Sequence, residues 1–152
     1  MRDAVLTRSE AETEARGAEL GAELGTGEVV YLIGELGAGK TAFARGLARG
    51  LGADAREVAS PTFALLHEYA GPGGEIVLRH LDLYRLRDEA RELSVLGLPD
   101  SVSGAPVCVE WPREALRGPL PPTIEVRFEM LPDSGRRIRV GRPDEQAVRT
   151  PR

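Results

Sequence analysis

Val29-Val30-Tyr31-Leu32-Ile33-Gly34-Glu35-Leu36-Gly37-Ala38-Gly39-Lys40-Thr41 is the stretch on which the fold turns. Its first five residues are apolar without interruption, the pattern of a parallel strand buried on both faces. Gly34, Gly39, Lys40 and Thr41 then match G-x-x-x-x-G-K-(S/T), with Gly37 as a further glycine that lets backbone amides turn inward. Beyond the loop, Phe43, Leu47 and Leu51 recur at fourfold spacing, which predicts a helix ending near Gly50 or Gly52. A strand, a glycine loop and a helix in this order form a phosphate cradle. The backbone amides of Leu36, Gly37, Ala38, Gly39, Lys40 and Thr41 are expected around a β-phosphate at the positive end of the helix. Lys40 would bridge β- and γ-phosphates and Thr41 would ligate Mg²⁺, with ATP as the expected substrate. The alternative, a glycine-rich structural turn, does not call for the strand and helix on either side.

Working outward, Ser9 followed by Glu12 has capping-box spacing, and Ala11, Ala15, Ala18 and Ala22 with Leu20 and Leu24 make a helical stripe from about 10 to 24. Downstream, Ser60-Pro61 marks a turn, an extended stretch runs to Tyr69, and Gly71 to Gly74 turn it into Ile76 to Leu81, which reads as a hairpin. A helix over about 86–97 and a short buried strand from Pro106 to Val109 follow. Ile124, Val126, Phe128 and Met130 alternate with polar residues and are answered by Ile138 and Val140, an antiparallel hairpin. The expected architecture is α/β: a P-loop NTPase-like mixed sheet, parallel at its centre with antiparallel strands, flanked by helices. Residues 1–141 read as one domain and 142–152 as a disordered tail.

Composition narrows the function classes. The chain has 152 residues, 41% of them apolar, which suits one domain with an ordinary core. Its apolar runs are far shorter than the roughly 20 residues of a membrane span, so a soluble, cytoplasmic protein is expected. A lone cysteine, Cys108, excludes an internal disulfide. The formal charge of −4 argues against a protein that grips nucleic acid by its own field, so any link to RNA is expected to be indirect. Of 20 basic residues, Lys40 is the single lysine. Elsewhere arginine carries the positive charge; lysine appears where a compact ammonium must fit among phosphate oxygens.

Hydrolysis needs more than a cradle. Asp82 and Glu110 each emerge at a strand end, suited to holding Mg²⁺ or orienting water, in roles that are interchangeable at this stage; a helix N-cap and a solvated strand end are the plainer readings. Thr62, in Ser60-Pro61-Thr62-Phe63, is placed to sense a γ-phosphate or else sits in a proline turn. Trp111 would stack on a partner or ligand, or serve as a half-buried core aromatic. His67 and His80 read as structural, since neither has a partner at metal-site spacing.

Taken together, GELGAGKT at 34–41, ARGLARGLG at 44–52, SPTF at 60–63, HLDLYR at 80–85 and VEWP at 109–112 resemble the TsaE (YjeE) family, bacterial ATPases required for threonylcarbamoyladenosine formation on tRNA. The resemblance spans nearly the whole chain. It implies Mg²⁺ at Thr41 and Glu110, supporting roles for Thr62 and Asp82, a functional Trp111, and nucleotide contacts from Ser9 and Glu10 near the adenine. It also implies TsaB and TsaD as protein partners, with tRNA reached only through their complex. Ala42 departs from the family's usual second threonine, and the tail beyond Val140 has no counterpart. Two other classes use the same loop: a small-molecule kinase, for which Arg85, Arg87 and Arg91 would form a lid, and a nucleotide-binding module without catalysis. A guanine-reading NKxD pattern is excluded because the chain has no asparagine. No arginine is evident to stabilise the transferring phosphoryl group in cis, so slow turnover alone is expected.

Overall fold

The apolar run Val29–Ile33 forms the central strand of a seven-stranded sheet in the computed structural model, which describes residues 4–59, 65–86, 91, 97 and 104–143. In chain order the elements are β1 (Val5–Thr7), α1 (Glu10–Gly21), β2 (Val29–Ile33), α2 (Lys40–Gly50), α3 (Ala55–Ala59), β3 (Leu66–Ala70), β4 (Ile76–Asp82), β5 (Val107–Glu110), a 3-10 turn at Glu114–Leu116, β6 (Ile124–Met130) and β7 (Arg136–Gly141). The strands lie in the order β1-β7-β6-β2-β5-β4-β3. Pairs β6–β2, β2–β5 and β5–β4 are parallel, and the outer pairs antiparallel. This is the mixed sheet with a parallel centre that the sequence predicts.

Alternation along β2 divides the core in two. Val30 and Leu32 join Leu20, Phe43, Leu47, Leu78, Cys108 and Val126 on the face covered by α1 and α2. Val29 and Tyr31 point the other way, to Leu81, Val107, Val109, Leu116 and Leu120. Tyr31 is wholly buried, and its hydroxyl donates to the Leu120 carbonyl at 2.7 Å, satisfying the one polar atom the ring carries inward.

Ser9 caps α1 as its spacing predicts, its Oγ accepting from the Glu12 amide at 3.1 Å. The helix closes at Gly21, earlier than the expected 24, because the Glu23 and Leu24 amides switch to carbonyls three residues back and tighten the turn. The hairpins β3–β4 and β6–β7 form where their turns place them. Three elements have no sequence signal: β1, too short to show alternation, α3, and the 3-10 turn. β1 lies antiparallel on β7, with Thr7 opposite Arg136, and so delivers Arg8 and Ser9 to the sheet's functional edge. The predicted helix over 86–97, Thr62 and the tail from 144 onward lie outside the described residues, apart from Leu86, Arg91 and Gly97.

Candidate functional site

Parallel strands β2, β4 and β5 end together, and their carboxyl ends carry the phosphate loop, Asp82 and Glu110. Such an edge is where open α/β sheets bind ligands, because helix N-termini converge there. The loop hands over to α2 at Gly39, whose φ of 100° is left-handed and free of strain only for glycine. Ala38 stands apart from the rest of the loop. Its methyl is buried in the core, and its amide donates to the Glu35 carbonyl at 3.1 Å, closing a turn.

Lys40 is nearly inaccessible, at 4% exposure. Its ammonium donates to the Gly34 and Glu35 carbonyls and lies 3.5 Å from the centroid of the Trp111 ring. Burial lowers its pKa, opposed by the nearby carboxylates of Glu110, Asp82 and Glu35. Trp111 reaches this position through a left-handed backbone, with φ of 57°. That conformation costs a bulky residue on the order of 1–3 kcal/mol. Contacts with Lys40 and with Tyr84, 5.0 Å away between centroids, offset it.

Glu110 joins the loop to the sheet. Thr41 Oγ1 lies 3.2 Å from Glu110 Oε1, and His80 Nε2 lies 2.7 Å from Glu110 Oε2. Asp82 stands opposite Glu110 in the β4–β5 register, and its Oδ1 accepts from the Tyr84 amide at 3.1 Å. These oxygens form the floor of a cleft of about 490 Å³. As donors, a hydroxyl and two carboxylates are hard and suit Mg²⁺. No group of three or more His, Cys, Asp or Glu gathers among the described residues.

Of the residues singled out from sequence, Ser9, Glu10, Leu36, Gly37, Gly39, Lys40, Thr41, Asp82, Glu110 and Trp111 all line this cleft. Ala38 does not, for the reason above, and Thr62 lies outside the described residues. His80, read from sequence as structural, meets the Glu110 carboxylate of the neighbouring strand at 2.7 Å, a contact between strands that spacing along the chain does not register. Arg8 and Arg136 also line the cleft, although no arginine was evident there from sequence. Arg136 donates to the Gly37 carbonyl at 3.0 Å across 99 positions of chain, and Arg8 pairs with Asp133 at 2.6 Å. No helix among the described residues is long and apolar enough to cross a membrane.

Residues 7–138 match the family model described as threonylcarbamoyl adenosine biosynthesis protein TsaE. The chain is 40% identical over 137 residues to the tRNA threonylcarbamoyladenosine biosynthesis protein TsaE of Treponema pallidum, covering 89% of this chain and 97% of that one. It is 36% identical over 132 residues to the protein of the same name from Rickettsia bellii, covering 86% and 89%. The crystal structure of YdiB from Bacillus subtilis superposes with a TM-score of 0.66 at 26% identity, covering 96% of this chain and 89% of that one.

Proposed function

Because the chain belongs to the TsaE family, which takes part in tRNA threonylcarbamoyladenosine biosynthesis, we propose that it is a Mg²⁺-dependent ATPase serving that modification as a partner of TsaB and TsaD. The observation that supports this reading best is the contact of Thr41 Oγ1 with Glu110 Oε1 at 3.2 Å, directly behind a phosphate loop. It joins the metal-side hydroxyl of the loop to a strand-end carboxylate, the pairing that phosphoryl transfer to water requires.

In this reading the loop amides other than that of Ala38 hold the β-phosphate at the N-terminus of α2. Lys40 leaves the Gly34 and Glu35 carbonyls, swings on its four-carbon stem and binds between β- and γ-phosphates. Thr41 and Glu110 hold the cation, which when bound neutralises charge on the β- and γ-oxygens. Asp82, next to Glu110 and with one oxygen fixed by the Tyr84 amide, orients a water for in-line attack. Water adds to the γ-phosphorus, the bond to the β,γ-bridging oxygen breaks, and ADP and inorganic phosphate leave. Ser9 and Glu10 contact the nucleoside from the start of α1.

The test is phosphate release from Mg·ATP by the purified protein alone and with TsaB and TsaD, alongside Lys40→Ala and Glu110→Ala. Slow release that the partners stimulate and both substitutions abolish is expected. Unstimulated protein that releases ADP only when a small-molecule acceptor is supplied overturns the ATPase reading in favour of a kinase.

A further inference from the structure

His80 has no part in the mechanism above, yet its one hydrogen bond goes to the carboxylate at the centre of the site. The parallel register sets His80 beside Cys108, which places His80 and Glu110 on the same face of adjacent strands, two positions apart. There His80 Nε2 meets Glu110 Oε2 at 2.7 Å, with side chains 3% and 4% exposed. If Glu110 is the metal-side carboxylate of the proposed function, it accepts here, and the tautomer that fits is the one with the proton on Nε2. The other ring nitrogen, Nδ1, is buried without a partner. The imidazole sits beside Leu78 on its own face of β4, opposite His67 in the β3–β4 register and parallel to the Tyr69 ring at 6.5 Å, and only one of its two polar atoms is satisfied. A side chain kept solely to fill this space would do better without nitrogen.

We propose that His80 is the positioning residue of the metal carboxylate: its Nε2–H holds Oε2 of Glu110 so that the carboxylate faces Thr41 and the cation. The proposal rests on the reading of Glu110 and Thr41 as the Mg²⁺ ligands. A carboxylate at a strand end rotates about its terminal bond unless one oxygen is fixed. With Oε2 fixed by the imidazole, the carboxylate keeps Oε1 at 3.2 Å and Oε2 at 3.4 Å from the Thr41 hydroxyl, and little ordering is left for the metal to impose. Hydrogen bonds of this outer kind are typically worth about 10- to 100-fold in metal affinity.

Two substitutions of similar polarity separate positioning from packing. Gln places an amide nitrogen where Nε2 lies, and Asn places one where Nδ1 lies, out of reach of Glu110. Mn²⁺ binding to the intact protein with ADP present, read from the loss of the free-ion paramagnetic resonance signal, is expected to weaken about 10- to 100-fold in His80→Asn and by less than about threefold in His80→Gln. ADP affinity measured in EDTA should be the same in all three proteins. Equal Mn²⁺ affinity of the two variants, even with lowered melting temperatures, overturns the positioning role and leaves the ATPase reading intact. A wild-type protein that adds nothing to the Mn²⁺ affinity of free ADP overturns the metal site itself, and this proposal with it.

Discussion

Replacing Gly46 by Ala in α2 should destabilise the protein even though helix propensity alone predicts the reverse. In an isolated helix the change is worth about 1 kcal/mol in favour of Ala. Here a Cβ at position 46 would lie 2.0 Å from the Glu14 carbonyl oxygen and 2.9 Å from the Ala18 amide nitrogen, both backbone atoms of α1 that no rotamer change can remove. The contact is reciprocal, since a Cβ on Gly17 would come 2.2 Å from the Phe43 carbonyl oxygen. Restoring a tolerable 3.0 Å separation requires the helices to part by about 1 Å, which forfeits a quarter to a half of the dispersion energy of each atom pair across the interface. Overpacking of this kind costs about 1–3 kcal/mol and more where backbone must move. With the upper end of that cost, about 3 kcal/mol because both clashing atoms are backbone, less the roughly 1 kcal/mol of propensity, the net expectation is a loss of about 2 kcal/mol, or roughly 4–8 °C in Tm for a chain of this size. Because α2 begins with Lys40 and Thr41, nucleotide affinity should fall as well. Thermal melts of Gly46→Ala and of Gly25→Ala, where a Cβ meets nothing within 4 Å, provide the comparison. A Gly46→Ala protein that melts at or above the wild-type temperature would refute the close helix contact.

Trp111 is the only tryptophan, and the Lys40 ammonium lies 3.5 Å from its ring centroid, so Mg·ATP should change the emission saturably as Lys40 moves to phosphate. A flat titration, under conditions where calorimetry records binding, would refute that movement. Arg136→Ala removes the 3.0 Å bond to the Gly37 carbonyl and is expected to weaken ATP binding about fivefold, or about 1 kcal/mol, with little change in Tm; unchanged affinity in calorimetry would deny the loop this brace. Burial pushes both Tyr31 and Tyr69 up to about 12 from 10.0. Between about pH 10 and 12 the folded state then holds protons that the unfolded chain has released, so stability falls as pH rises through that window. Denaturant midpoints at pH 8, 10 and 11 should show the decline, weakened in Tyr31→Phe; a decline of equal slope in that variant would remove Tyr31 as its source.

What the sequence made legible was local. The strand, glycine loop and helix around Lys40 announce themselves because fourfold spacing, an unbroken apolar run and glycines all act within a few residues. The hairpin of β6 and β7 is visible for the same reason, since alternation and a turn are neighbours in the chain. Contacts that depend on strand order left no such trace. Thr41 and Glu110 are 69 positions apart and His80 and Glu110 are 30 apart. His80 looked structural because its carboxylate appears only when β4 is laid beside β5 in register. Arg136 was hidden by the same cause: β6 must lie beside β2 before the turn of the β6–β7 hairpin comes to rest against Gly37. For Trp111 the sequence left stacking on a ligand and core packing open, because a left-handed φ at a tryptophan follows from the contacts around it and not from its sequence neighbours.

The arrangement of positive charge bears on why the proposed ATPase should depend on partners. Three basic side chains line the cleft among the described residues, and each already has a task. Arg8 is paired with Asp133, and this contact holds the Asp133 carboxyl below its ordinary range. Arg136 is spent on the Gly37 carbonyl, and turning it toward a phosphate would release the loop it braces. In the proposed reaction Lys40 is held between the β- and γ-phosphates. A group that meets the charge growing on the transferred phosphoryl is worth about 10³ to 10⁵ in rate, and none of the three can supply it without abandoning a contact that shapes the site. Among the described residues the proposed cycle therefore has no cleft arginine to spare for that charge, and the reading expects the missing charge, or the rearrangement that frees one of these arginines, to come with the assembly that uses the ATP.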